Sequence, residues 1–226
     1  MRIDDYIDPL LICNLSKIPW KMENNPFYLT TKLLLRGENE KHCFDHMVSI
    51  FKKSETRTKT MSSLYGYDYD NLGSLPGDTI FIPWLHTRPL SSDHRDVFFD
   101  CFSDKDYIVH QFSVIKDLAF SIRSRGYVPE NYDHRNTHIL GYWLELESKK
   151  KFYVSAGNHR AAVAAAVLDE KIPVLFEKKE HLKPRDLKNR KSFNHVFSDK
   201  EIKNWPSVKS GLITADVGLN ILKSFF

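Results

Sequence analysis

Cysteine is scarce in this chain and follows no pattern: Cys13, Cys43 and Cys101 are far apart and form no C-x-x-C pair. That spacing argues against a disulfide framework and fits a reducing cytoplasm. Long apolar runs are missing too. The longest unbroken one, Ala161 to Leu168, is too short to cross a membrane. The start "MRIDDYIDP" carries acidic residues where an export signal needs a basic region followed by an apolar one, so a cytoplasmic location without a membrane span is expected. Nor is there a strong excess of one charge. Thirty-three Lys and Arg against 29 Asp and Glu give +4, which suits a small anionic ligand and falls short of the basic footprint of a dedicated nucleic-acid binder. What is present is a globular balance. With 226 residues, 42% hydrophobic and 13% aromatic, the chain can hold one good-sized core, or a core plus a smaller accessory region.

One stretch, "FYVSAGNHRAAVAAAVLDEKIPVLFE" (152–177), is organised around a polar step. Phe152 to Ala156 has strand length, Ala161 to Leu168 has alanine at helix-forming density, and Ile172 to Phe176 is strand-like again. The order is strand, turn, helix, strand. A helix made almost wholly of alanine and valine has no polar face, so it is expected to be covered on most sides. Its first turn, Gly157-Asn158-His159-Arg160, then lies where buried scaffold meets solvent. The first turn of a helix leaves backbone N–H groups unpaired at the positive end of the helix dipole, a natural seat for phosphate. Gly157 permits a tight turn, Asn158 is a good cap, His159 can donate from its ring, and Arg160 offers a planar fork to phosphate oxygens. On these residues alone, a phosphate cradle and a plain capped helix with solvated His159 and Arg160 both stand.

The chain divides into three zones. Residues 1–75 are mixed: an aromatic start, the apolar "KLLL" at 32–35, a short helix expected around His42 to Phe51, and the polar "KKSETRTKTMSS", which reads as a loop. Trp20, Phe27, Tyr28 and Leu33 to Leu35 are too apolar for a free tail, so this zone is expected to pack on the core and close one wall of the site. His42 and His46 are four apart beside Cys43, but without a third ligand an amphipathic helix is favoured over a metal pair; the same holds for His134 and His138. In the middle zone, "DTIFIPWL" (78–85) reads as a strand and "HTRPLSSD" as a loop. "SVIKDLAFSIRSRG" (113–126) reads as a capped helix with Ile115, Leu118 and Ile122 on one face and Gly126 as its stop. "HILGYWLELE" and "KFYVSAG" read as a hairpin joined by "SKKK". Beyond Lys178 lies a basic stretch, then a segment in which Thr214 can cap a final helix with Val217, Ile221, Leu222 and Phe225 at helical spacing.

The succession "LAFSIRSRGYVPE", hairpin, "AGNHRAAVAAAVLDEKIPV" resembles the ParB/sulfiredoxin superfamily over roughly residues 78–178. In that superfamily a helix precedes a glycine-rich G-x-H-R or G-x-R-R box and an "IPV" strand. The resemblance implies an α+β fold with a ParB/sulfiredoxin-like core, a mixed small sheet with helices, at 76–178. Residues 1–75 would be an N-terminal extension and 179–226 a basic linker with a C-terminal helical cap. It also implies that Gly157, Asn158, His159 and Arg160 bind nucleotide phosphates. "HTRPLSSD" resembles the "IRPL" stretch of sulfiredoxins, which brings Arg88 toward the pocket, and Ser121 stands in the place of a nucleotide-contacting hydroxyl.

The departures from the family narrow this. Sulfiredoxins carry a catalytic cysteine immediately before the His-Arg pair, where this chain has Asn158, so repair of oxidised peroxiredoxin is not expected. The segment beyond Glu177 is short and interrupted by Pro184 and Pro206, leaving no room for the DNA-reading and dimerisation regions of partition proteins. The basic run from Lys178 to Lys191 lacks interleaved aromatics and reads as a solvated linker. "GNHR" fits best the branch typified by free-serine kinases, and "NWPSVKSGLITADVGLNILKSFF" is similar to stand-alone proteins encoded among bacterial surface-polysaccharide genes. The expectation is an ATP- or ADP-dependent phosphotransferase acting on a hydroxyl of a small metabolite, such as a sugar or glycan precursor. Mg2+ would bridge the phosphates on chemical grounds. His159 would stabilise the transferring group, and the base would come from Asp93, Asp96 or His86, although "SSDHRD" reads equally well as a helix-capping loop. The rival expectation is a nucleotide-binding regulatory or scaffold module that binds a protein partner, such as a glycosyltransferase, without turnover; a third, less favoured, is a nucleic-acid-acting ParB-like protein that would bind DNA or RNA through 178–191.

Overall fold

The computed structural model describes residues 3–16, 18–64, 84–85, 105–129, 138–168, 170–178 and 194–226. The fold is α+β, a mixed sheet with helices. Among the described residues, seven strands make the sheet: β1 (Asp5–Ile7), β2 (Ile12–Ser16), β3 (Ile18–Lys21), β4 (Leu140–Leu146), β5 (Lys149–Ala156), β6 (Ile172–Phe176) and β7 (Val196–Ser198). The order is β1-β6-β4-β5-β2-β3. One edge of β4 pairs with β5 throughout, antiparallel; the other is shared, with Leu140 and Gly141 parallel to β6 and Trp143 to Glu145 parallel to β7. β1 is antiparallel to β6, β2 is parallel to β5, and β3 is antiparallel to β2. The N-terminal segment therefore supplies three strands of the sheet itself, β1, β2 and β3.

Side chains alternate across a strand, so the sheet divides the apolar residues between two cores. One face receives Ile12, Ile139, Phe152, Val154, Ile172 and Val174; the other receives Cys13, Tyr142, Leu144, Leu146, Tyr153 and Phe197. The first face is covered by α1 (Pro26–Leu35), α2 (Glu40–Leu64), α3 (Lys105–Arg125) and α4 (Asn158–Val167). The six residues Ala161 to Ala166 are all buried, as the lack of a polar face requires. α1 and α3 both pack on α4, where small side chains let their backbones approach. The second face is covered by α5 (Pro206–Lys209), α6 (Ala215–Lys223) and Trp84. Thr214 caps α6, its side chain accepting from Val217 N at 3.3 Å, and Ile221, Leu222 and Phe225 are buried, as the sequence pattern predicts. No helix among the described residues is long and apolar enough to cross a membrane.

Four local expectations are corrected. The helix expected around 42–51 runs from Glu40 to Leu64 and takes in the whole of "KKSETRTKTMSS", which is not a loop. Ser113 does not cap α3, because the helix begins at Lys105 and Ile108, Gln111 and Phe112 already lie on its buried side. The hairpin turns at Glu147 and Ser148, both at positive φ, and Lys149 to Lys151 belong to β5 rather than to the loop. Trp84 and Leu85 lie in a turn, not a strand; the rest of 78–83 is outside the described residues.

Candidate anion-binding site

β5 ends at Ala156 and α4 starts at Asn158, so one residue must reverse the chain. Gly157 does so at φ 86°, ψ 28°, a left-handed conformation that L side chains rarely adopt. A Cβ there would also come within 2.6 Å of the His138 carbonyl oxygen and 3.2 Å of Ile139 Cα. Backbone conformation and close approach each demand glycine. Gly157 is itself the N-cap, and its carbonyl accepts from Ala161 N at 2.9 Å. The expectation that Asn158 caps the helix is corrected: Asn158 is the first helical residue, and no side chain caps the turn. Among the described residues, the backbone N–H groups of Asn158, His159 and Arg160 meet no acceptor.

The side chains of this turn carry unmet polar atoms. Asn158 Oδ1 and His159 Nε2 are both buried with no hydrogen-bond partner among the described residues. The His159 ring lies against Phe27 of α1, with ring centroids 4.4 Å apart at 42°. Burial pulls the imidazole down to about 4, and the nearby Arg160 and His110 charges push the same way. His159 is therefore neutral at pH 7 in the unliganded protein, and it can still donate or accept one hydrogen bond. Arg160 is half-buried, and burial lowers its guanidinium from the usual range while Tyr127 acts in the opposite direction. It remains charged. The ion pairs among the described residues are Lys41–Asp45, Lys116–Glu40, Lys150–Glu145 and Lys178–Asp4, so no carboxylate there neutralises Arg160. Tyr127 also ties this corner to the sheet, its hydroxyl accepting from Ile139 N at 3.1 Å.

α3 packs on α4, and the charge of His110 near its start acts on His159 while Tyr127, just beyond its end, acts on Arg160. Ser121 lies between those two positions, half-buried, and its carbonyl accepts from Ser124 Oγ at 3.2 Å. Its hydroxyl forms no hydrogen bond to the α4 turn among the described residues. His86, Arg88, Asp93 and Asp96 lie outside the described residues, as does His134. His42 is exposed, His46 is half-buried, and among the described residues no group of three or more His, Cys, Asp or Glu could hold a metal ion. Phe27 belongs to the N-terminal zone expected to wall the site, and it meets His159 there, whereas His110 and Tyr127 were missed as neighbours of the turn. The Asn25-Pro26 step could have signalled the start of α1, but nothing in it tells which helix α1 packs against.

No family model matches the chain, no curated protein matches it, and no solved structure matches it.

Proposed function

We propose that the first turn of α4 binds the phosphates of a nucleotide and that the chain transfers a phosphoryl group from ATP or ADP to a hydroxyl of a small metabolite. A sugar or glycan precursor is the acceptor class suggested by the sequence resemblance. One observation carries the reading: three N–H groups and a half-buried arginine converge on a turn where the described residues supply neither a backbone acceptor nor a carboxylate. Asn158 Oδ1, an acceptor without a donor, suits a ligand that carries a hydroxyl as well as an anion.

In the transfer, the acceptor oxygen attacks the terminal phosphorus and gives up its proton to a base, assigned to Asp93, Asp96 or His86. The bond from phosphorus to the bridging oxygen breaks, and the shortened nucleotide leaves with that electron pair. Arg160 and the N–H groups of residues 158–160 hold the phosphate oxygens in line, and neutral His159 donates to one of them. Mg2+, when bound, would screen charge between the phosphates; with no cluster of acidic ligands among the described residues, the phosphates themselves would carry it.

Calorimetric titration with ATP and ADP, with and without Mg2+, tests the cradle. Arg160→Ala removes a charge-assisted contact and is expected to weaken binding by about 1.5–3 kcal/mol, roughly tenfold or more. Arg160→Lys restores the charge without the planar fork and should recover only part of it. Equal affinities in all three proteins would reduce the turn to a helix start. For turnover, Asp93→Asn and Asp96→Asn separate the kinase from a regulatory module: loss of transfer with binding intact supports the kinase, and nucleotide binding without transfer in the wild type supports the module.

A further inference from the structure

We infer that Phe27, on α1, is a positioning residue of the α4 turn: its ring clamps the His159 imidazole and shuts water out on that side, leaving Nε2 for a ligand. This rests on the reading of that turn as a binding site. The clamp is rigid for reasons visible along α1. Asn25 Oδ1 accepts from Phe27 N at 2.9 Å and from Tyr28 N at 3.2 Å, Pro26 sits in the first turn, and Thr31 Oγ1 donates to the Phe27 carbonyl at 2.7 Å. Phe27 is 7% exposed, and its ring is backed by Phe51 of α2, centroids 5.8 Å apart and edge-on at 65°. Its other ring–ring contact among the described residues is the tilted one with His159 at 4.4 Å, the shorter of the two.

An imidazole can be fixed by hydrogen bonds or by packing. Here His159 Nε2 is buried with no protein partner among the described residues, so on the α1 side the ring is held by an apolar face. A histidine fixed in that way keeps its hydrogen-bonding capacity for a ligand while staying dry and neutral. The charged or titratable groups acting on it are His110 on α3 and Arg160 on α4, both disfavouring a second proton, whereas α1 meets it with an apolar ring. Residues near the start of the chain thus complete a site whose signature lies more than a hundred residues later.

A purely structural Phe27 would affect stability alone, so the decisive readout is the imidazole proton resonance of His159 against pH, followed by NMR in the unliganded protein. The wild-type midpoint is expected near 4. Phe27→Leu admits water beside the ring and should raise the midpoint by about 0.5 unit or more toward the ordinary 6.5, whereas Phe27→Tyr, which keeps the aromatic face, should stay with the wild type. Phe27→Ala should move it further; if that variant does not fold, Phe27→Leu decides. A folded Phe27→Leu protein, shown so by its thermal melt, whose His159 midpoint is unmoved would overturn the inference. An ATP titration of the same proteins separates the two readings. ATP that fails to bind the wild type while the midpoint still shifts would remove the nucleotide reading and leave the clamp supported.

Discussion

His159 concentrates the physical tension of the site. A buried imidazole near 4 in the folded protein and near 6.5 in the unfolded chain makes stability depend on pH. Between those values the unfolded chain binds the extra proton and the folded protein does not. The contribution is therefore fully present above about 6.5 and is lost as pH falls toward 4, by on the order of 3 kcal/mol in all. Urea midpoints at pH 7 and pH 4.5 should fall further apart in the wild type than in His159→Gln, which has no proton to gain. Equal loss in both would show that His159 titrates normally. An anion seated at the turn acts the other way, favouring the imidazolium and raising the midpoint. Residue identity made part of this visible beforehand: Gly157, His159 and Arg160 stand out between an apolar strand and an alanine helix. The neutral state of His159 was not legible, because it depends on Phe27 and His110, which reach it only through tertiary packing.

At the scale of elements, the turn between β5 and α4 depends on two separable properties of glycine. Gly157 and Gly211 both have positive φ, 86° and 75°, but only Gly157 has backbone pressed against its Cα; around Gly211 an added Cβ would meet nothing within 4 Å. Gly211→Ala should therefore cost only the left-handed penalty, about 1–2 kcal/mol. Gly157→Ala incurs that plus the clash with the His138 carbonyl, so it should cost at least about 1 kcal/mol more and weaken ligand binding by displacing the first turn of α4. Urea denaturation of the two variants measures the difference, and equal losses would mean that the chain can back away from His138. The α4 unit was legible because β-rich runs bracket alanines at helical density. The far half of α2 was not, since its polarity suggested a loop although it contains helix formers and neither Gly nor Pro. The true start of α3 could have been found: Ile108, Phe112, Ile115, Ala119 and Ile122 already keep helical spacing, and the caplike Ser113 obscured it. The Glu147-Ser148 turn offered no such sign, because it places two non-glycine residues at φ 49° and 70°.

Over the whole molecule, the sheet is the shared wall of two cores, and that organisation was the least legible part. β1 pairs with β6 and β2 with β5, so these two short N-terminal strands are completed by partners more than a hundred residues away. Local pattern carries no information about such pairings. On the second face Trp84 is 1% exposed and meets Tyr153, Phe197, Trp205 and Phe225 with ring centroids 5.3–6.3 Å apart, while its Nε1 donates to Tyr142 Oη at 3.1 Å. Trp84→Ala empties the centre of that cluster and should cost about 3–5 kcal/mol, far from the α4 turn. Neighbouring residues of one strand serve opposite cores: Phe152 and Val154 face one side, Tyr153 the other. Loss of either core thus removes the backbone on which the other is built, and unfolding should be a single cooperative step. Urea titrations followed by tryptophan fluorescence and by far-ultraviolet circular dichroism should coincide in the wild type and in Trp84→Ala, both shifted to lower urea in the variant. Separate transitions would show that the C-terminal helices leave the sheet independently, with the α4 turn still in place.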